Sequence, residues 1–188
     1  MKQKVGVVYF SGSGTTRVVA QAVCEGIAGT SDVEVFELDI AGTDISEGRW
    51  ANDALAAELD GCAGIVFGSP TYMGDVSAQL KSFFDAMAPR WFSQAWNGKV
   101  AAGFTASSLA AGDKLNCLQS MCTFAMQMGM VWVGTGASFQ DQLNPNGFYL
   151  GAGVTASTPD QVSDMDRNTA RHLGGRVAEI VSALAPEG

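Results

Sequence analysis

The chain has 188 residues with 19 acidic and 11 basic side chains, for a formal net charge of −8. That balance argues against nucleic acid or an anionic membrane surface as a partner. No run approaches the roughly 20 uninterrupted apolar residues of a membrane span, and no charged-then-apolar leader precedes the first apolar stretch, so a cytoplasmic protein is expected. The length suits one domain over 1–188, large enough to bury roughly 70% of its unfolded surface without metal or disulfide support. Cys24, Cys62, Cys117 and Cys122 form no C-x-x-C pair and His172 is the single histidine, so no metal site is expected.

Val5, Val7, Val8 and Tyr9 read as a short buried strand. The small, hydroxyl-bearing stretch Ser11-Gly12-Ser13-Gly14-Thr15-Thr16 follows, and then Val18, Val19, Ala22, Val23 and Ile27 fall on one helical face. Val33 to Leu38 alternates strictly, as an edge strand with one exposed face does. Asp39 to Asn52 reads as a long loop and Asp53 to Leu59 as a short helix. Ala63 to Phe67 is apolar throughout, which predicts a central strand running into Gly68-Ser69-Pro70-Thr71-Tyr72-Met73-Gly74-Asp75.

From Val76 a helix is predicted, with Leu80, Phe83, Phe84 and Met87 on one face and Pro89 as its stop. Trp91, Phe92 and Trp96 lie in a segment too short for a core helix, so they are expected at the surface and in an interface between copies. Lys99 to Phe104 is the fourth strand, with Thr105 to Asp113 as its exit loop. Leu115, Leu118, Met121, Cys122, Ala125 and Met126 suggest an amphipathic helix, and Met130 to Val133 the fifth strand. Gly134 to Thr158 is a glycine-rich excursion, and Pro159 to Leu184 the closing helix. Strand and helix alternate five times, which predicts an α/β fold with a doubly wound parallel sheet covered on both faces.

The loop at Ser11–Thr16 opens a helix, where unpaired N–H groups and the helix dipole favour an anion. A P-loop needs a lysine after its last glycine, and a dinucleotide fingerprint needs a third glycine; Gly14-Thr15-Thr16-Arg17 supplies neither. One terminal phosphate remains as the functional reading, beside the plainer one of a capped helix behind a turn. The loops at Ser11–Thr16, Ser69–Asp75 and Thr105–Asp113 each follow a strand's carboxyl end. With strand order 2-1-3-4-5 they meet at the switch point, the first at a phosphate and the other two flanking a flat ring. The flanking loops hold no acid–base pair or nucleophile–base dyad, so the chemistry falls to a bound cofactor.

These residues resemble a known family. Tyr9-Phe10-Ser11-Gly12-Ser13-Gly14-Thr15-Thr16 is similar to the FMN-phosphate loop of flavodoxin-like proteins. Gly68-Ser69-Pro70-Thr71-Tyr72-Met73-Gly74, with Gln79, Leu80, Lys81, Phe83 and Asp85, resembles the second loop of WrbA-type NAD(P)H:quinone oxidoreductases. Asn97-Gly98-Lys99, Phe104 and Gly129-Met130-Val131 fall where that family carries similar pieces. The resemblance implies a flavodoxin-like three-layer fold, bound FMN, NAD(P)H as donor and a quinone or similar small acceptor.

Carried over by position, the resemblance implies that Ser11, Gly12, Ser13, Gly14, Thr15 and Thr16 hold the FMN phosphate. Pro70, Thr71, Tyr72, Met73 and Gly74 would wrap one edge of the ring. Ala106, Ser107, Ser108, Leu109, Ala110, Ala111 and Gly112 would run along the other. Where the family has Ala-His-His-Gly-Met this chain reads Met126-Gln127-Met128-Gly129-Met130, which puts Met128 near the open face of the flavin. Trp91 matches a tryptophan that stands over a neighbouring subunit's flavin, so Trp91 and Met128 are expected at the substrate and a dimer or tetramer is implied. Met126 and Met130 read as core filler, and His172 as solvated or at an interface. Asp75 and Asp113 are expected to cap the helices that follow them. Two other readings stay open: a flavodoxin-type electron carrier that docks to redox proteins, and a regulatory or scaffold protein that has lost the flavin.

Overall fold

The computed structural model describes residues 2–137 and 139–185. The domain expected over 1–188 and the excursion expected over 134–158 therefore include positions outside the described residues. The chain begins with β1 (Gln3–Tyr9), α1 (Thr15–Ala28) and β2 (Val33–Asp39). In β1, Val5, Val7 and Tyr9 point to one face and Val8 to the other, and all four are buried. A strand covered on both sides needs apolar residues at successive positions, which is why its sequence does not alternate.

Asp39 to Asn52, expected to be plain loop, folds into a small hairpin of β3 (Ile45–Ser46) and β4 (Arg49–Trp50), followed by α2 (Asp53–Asp60). Trp50 is buried edge-on against Phe83 at 5.1 Å. Next come β5 (Gly64–Tyr72), β6 (Asp75–Val76), α3 (Ala78–Ala86) and α4 (Ala88–Phe92). Pro89 does not stop a helix; it sits in the first turn of α4, where its missing N–H has no intrahelical acceptor to lose. The chain continues through β7 (Val100–Ser107), α5 (Lys114–Gln127), β8 (Val131–Trp132), β9 (Ala152–Thr155) and α6 (Asp164–Leu184). The closing helix starts five residues later than its pattern suggests: Pro159–Gln161 is a separate 3-10 turn, and the Ser163 hydroxyl caps α6 by accepting the Asp166 N–H.

The parallel sheet runs β2-β1-β5-β7, and its fifth position is filled by two pieces, β8 and β9, both parallel to β7. The expected order 2-1-3-4-5 is present, with the edge strand β2 as its alternation indicates. The fifth strand, expected at Met130–Val133, is interrupted: Val131 and Trp132 pair with Val100 and Ala101, and Ala152 to Thr155 pair with Phe104 to Ser107. The chain between the halves leaves the sheet and returns to the same edge.

α1 and α6 cover one face, where Val19, Val23, Ile27, Leu173, Val177 and Val181 are buried against β1 and β7. The two helices approach so closely that a Cβ on Gly26 or Gly174 would run into the backbone of the other helix. α3 and α5 cover the opposite face with Leu80, Phe83, Phe84, Cys117 and Met121. Trp96 belongs to this core rather than to the surface. It is fully buried, lies over Phe83 with the ring planes inclined by 28°, and donates from Nε1 to Asp60 Oδ1 at 2.8 Å, a carboxylate that Arg90 also grips in bidentate fashion. Met126 and Leu115 instead face outward at about half exposure, while Met130 is buried as expected. No helix of the described residues is long and apolar enough to cross a membrane.

Candidate functional site

β1, β5 and β7 are neighbours, so their carboxyl ends bring three loops to one edge of the sheet. The register aligns Tyr9 with Gly68 and Pro70 with Ala106. The first loop turns into α1 at Gly14, whose φ of +93° is a left-handed conformation that favours glycine. Ser11 Oγ accepts the Arg17 N–H at 3.1 Å, which satisfies one of the unpaired donors of the first turn. Arg17 itself turns away to an ion pair with Asp39. An anion at this loop would therefore meet N–H groups, hydroxyls and the helix dipole rather than the guanidinium. Thr15 and Thr16 are buried, and Thr15 Oγ1 has no hydrogen-bond partner among the described residues.

The second loop is a tight hairpin. Pro70, Thr71 and Tyr72 are still in β5, and the turn lies at Met73 and Gly74, with φ of +47° and +83°. Positive φ at both central residues is the type I′ arrangement that joins antiparallel strands in two residues. Four hydrogen bonds hold the hairpin. Thr71 Oγ1 lies 2.7 Å from Thr105 Oγ1, whose own proton goes to the Ser69 carbonyl at 2.7 Å. Ser69 Oγ accepts the Ser77 N–H at 2.8 Å, and Asn116 Nδ2 donates to the Gly74 carbonyl at 2.8 Å. The Tyr72 hydroxyl crosses to the first loop, where a Cβ on Gly12 would collide with it. Met73 stands fully in solvent.

In the third loop Ala106 and Ser107 are the last residues of β7, and the turn itself is Ser108 to Gly112, followed by Asp113 in a left-handed conformation. Ser107 Oγ donates to the Leu109 carbonyl at 3.1 Å, and Leu109 projects its side chain outward. Asp113 makes no side-chain cap, and Asp75 bonds the adjacent Val76 N–H while Ser77 caps α3, so neither aspartate has the expected role.

The structure also brings Trp91 and Met128 together. α3 and α4 stand apart from α5, leaving a groove of about 830 Å³ lined by both residues. Its floor is the stacked pair Phe84 and Phe124, with ring centroids 3.9 Å apart, and it reaches Asp75 and Asn116 beside the hairpin. Met128 is buried and Trp91 about one third exposed. His172 is half-buried, and its Nε2 lies 3.0 Å from the Thr135 carbonyl, which ties that segment to α6.

A family model described as NADPH-dependent FMN reductase matches residues 5–144. The chain belongs to that family. It is 38% identical to a Pseudomonas aeruginosa protein named flavodoxin FldP, over 96% of this chain and 98% of that one. It is 34% identical to an NAD(P)H dehydrogenase (quinone) of Gluconacetobacter diazotrophicus, over 97% and 98% of the two chains. A solved structure of a WrbA-like flavodoxin from Agrobacterium tumefaciens superposes with a TM-score of 0.76 and 36% identity, covering 98% of this chain and 100% of that one. As a member of the FMN reductase family the protein is a flavodoxin-like oxidoreductase that uses FMN with NAD(P)H as donor.

The residues present suit the group. Among the described residues the buried hydroxyls without a partner are those of Thr15, Ser82 and Ser182, and of the three only Thr15 opens a helix from a strand-end loop; leaving such a group unpaired costs about 1–3 kcal/mol. Thr15 Oγ1 stands at a helix N-terminus beside Ser11 and Gly14, where a phosphate oxygen would satisfy it. Sequence reasoning missed two supports of the site, Asn116 and Lys114. Lys114 had a legible signal, since a lysine opening a helix opposes the dipole. Asn116 had none, because its partner lies 42 residues away.

Proposed function

We propose that the protein passes electrons from NAD(P)H to a quinone or a similar small acceptor through one FMN bound at the three strand-end loops. The observation that carries the reading is the unpartnered Thr15 hydroxyl at the α1 N-terminus, on the sheet edge where the two ring-flanking loops also end. Ser11, Gly12, Ser13, Gly14, Thr15 and Thr16 hold the phosphate by backbone N–H groups and hydroxyls. Pro70 to Gly74 border one edge of the ring, with the hairpin held rigid by Thr105 and Asn116. Ala106 to Gly112 border the other. When bound, FMN supplies the two-electron chemistry between donor and acceptor. N–H groups at Thr71 to Gly74 favour the reduced, negatively charged ring.

The acceptor reading is supported by the quinone dehydrogenases among the relatives and by a third loop without an aromatic side chain between Ala106 and Asp113. Such a loop leaves a flat face open to a small aromatic molecule. The groove holding Trp91 and Met128, part apolar and part polar, reaches the hairpin and extends that face. Trp91 and Phe92 form an exposed pair with centroids 4.7 Å apart, which supports a dimer or tetramer built over this side of the molecule. We take residues 1–188 as one FMN-binding domain of a cytoplasmic protein.

Anaerobic addition of NADPH or NADH to the holoprotein is expected to bleach the flavin absorbance, and a naphthoquinone to restore it. Flavin that stays oxidised with both nicotinamides refutes the enzyme reading. A second reading, an electron carrier, is favoured by the likeness to flavodoxin FldP and by the net charge of −8, which steers basic redox partners. In that case a reduced redox protein reduces the flavin and neither nicotinamide does.

A further inference from the structure

Lys114 is the first residue of α5 and is fully buried. Both facts are unfavourable. A cation at a helix N-terminus faces the positive end of the dipole, and burial pulls the ammonium below its ordinary value, with Asp166 opposing that pull. Among the described residues no carboxylate lies within ion-pair distance of Lys114. Its three N–H groups instead meet three neutral acceptors: Ser107 Oγ at 3.0 Å, the Leu109 carbonyl at 2.6 Å and Thr155 Oγ1 at 3.1 Å. The first two lie in the third strand-end loop, and the third lies in β9.

The bonds continue in one direction. Thr155 Oγ1 donates to Asn146 Oδ1 at 3.1 Å, and Asn146 Nδ2 donates to the Gly153 carbonyl at 3.0 Å and to Asp166 Oδ1 at 3.1 Å. Asp166 Oδ2 accepts the Ser163 hydroxyl at 2.8 Å. A buried cation and a buried anion are thus joined through two neutral side chains, each using both its donor and its acceptor. Such a network orders the segments it joins only when every member is satisfied, as here. Side chains that break a local rule are expected at functional or strained sites.

We propose that Lys114 is a positioning residue of the flavin site. Its ammonium sets the course of Ser107 to Leu109 from below and couples that loop to the excursion 133–151. The same desolvated positive charge favours the reduced, negatively charged ring over the oxidised one. The inference rests on Ala106 to Gly112 being the ring-flanking loop.

The test is titration of apoprotein with FMN and with riboflavin, followed by flavin fluorescence, in wild type, Lys114→Met and Thr155→Val. A loop that touches the ring and not the phosphate predicts the same loss for both ligands. Lys114→Met is expected to weaken each about tenfold, and Thr155→Val each about threefold. Reduced FMN loses more than oxidised FMN, and every tenfold difference lowers the two-electron midpoint potential by about 30 mV. A strut for the excursion alone predicts a lower melting temperature with unchanged riboflavin affinity and potential, which overturns the proposal. Loss of FMN affinity without loss of riboflavin affinity also overturns it. If Lys114→Met does not fold, Thr155→Val decides by the same two affinities. Wild type that binds neither ligand overturns the flavin-site reading itself, before any variant is compared.

Discussion

Replacing Thr15 by valine preserves the side-chain shape and removes one hydroxyl. In the free protein that hydroxyl is buried and unpartnered, so its desolvation is uncompensated and its removal is worth about 1–3 kcal/mol in favour of folding. For a chain of 188 residues the unfolding entropy is about 0.4 kcal/mol per degree, so the gain corresponds to a rise of roughly 2.5–7.5 °C in the Tm of apoprotein. Under the proposed function the same hydroxyl would donate to the charged phosphate of FMN, a bond worth about 1.5–3 kcal/mol. Its loss weakens FMN roughly 10–150-fold while leaving riboflavin, which lacks the phosphate, unchanged. Calorimetry on the apoprotein and fluorescence titration with both ligands read the two effects, which have opposite signs. A Tm that falls, or FMN affinity that stays at the wild-type value, refutes the assignment of Thr15 to the phosphate.

Trp96→Ala removes a fully buried ring and an indole donor from Asp60, for a loss of about 3–5 kcal/mol in chemical denaturation, whereas Trp91→Ala is expected to stay under about 1 kcal/mol. Equal losses for the two would place them in the same environment and contradict the structure. Asp166 is held above the ordinary carboxyl value by burial, with Ser163 and Lys114 opposing. Above that ordinary value the folded state binds this proton more tightly than the unfolded state. Its contribution to stability is therefore complete below the ordinary value and lost as pH rises through the raised one. Melting of Asp166→Asn from pH 4 to 7 is expected to lack that declining component, and a difference from wild type that does not change with pH counts against it.

The periodicities in the sequence determined the layers. The unbroken apolar run of β1 indicates burial on both faces, and the strict alternation of Val33 to Leu38 indicates the edge position it occupies. The short side chains of Ser11–Thr16 likewise indicate a loop opening a helix, because turn chemistry and capping are local. Local pattern reports how deeply a residue is buried and with what period, but not against what. Trp91 and Trp96 are five residues apart in one aromatic stretch. Only the packing of α4 against Asp60 sends one into the core and leaves the other on the groove with Met128. β8 falls within the strand expected at Met130–Val133, whereas β9, four residues inside a glycine-rich stretch, carries no strand signal of its own and is a strand because β7 supplies its partners. Lys114 is the clearest case. Its position at a helix start violates a local preference, and the acceptor that resolves the violation, Thr155, comes 41 residues later. The loops that make the site were therefore written locally, whereas the contacts that hold them in place exist only once the sheet has brought distant segments to one edge.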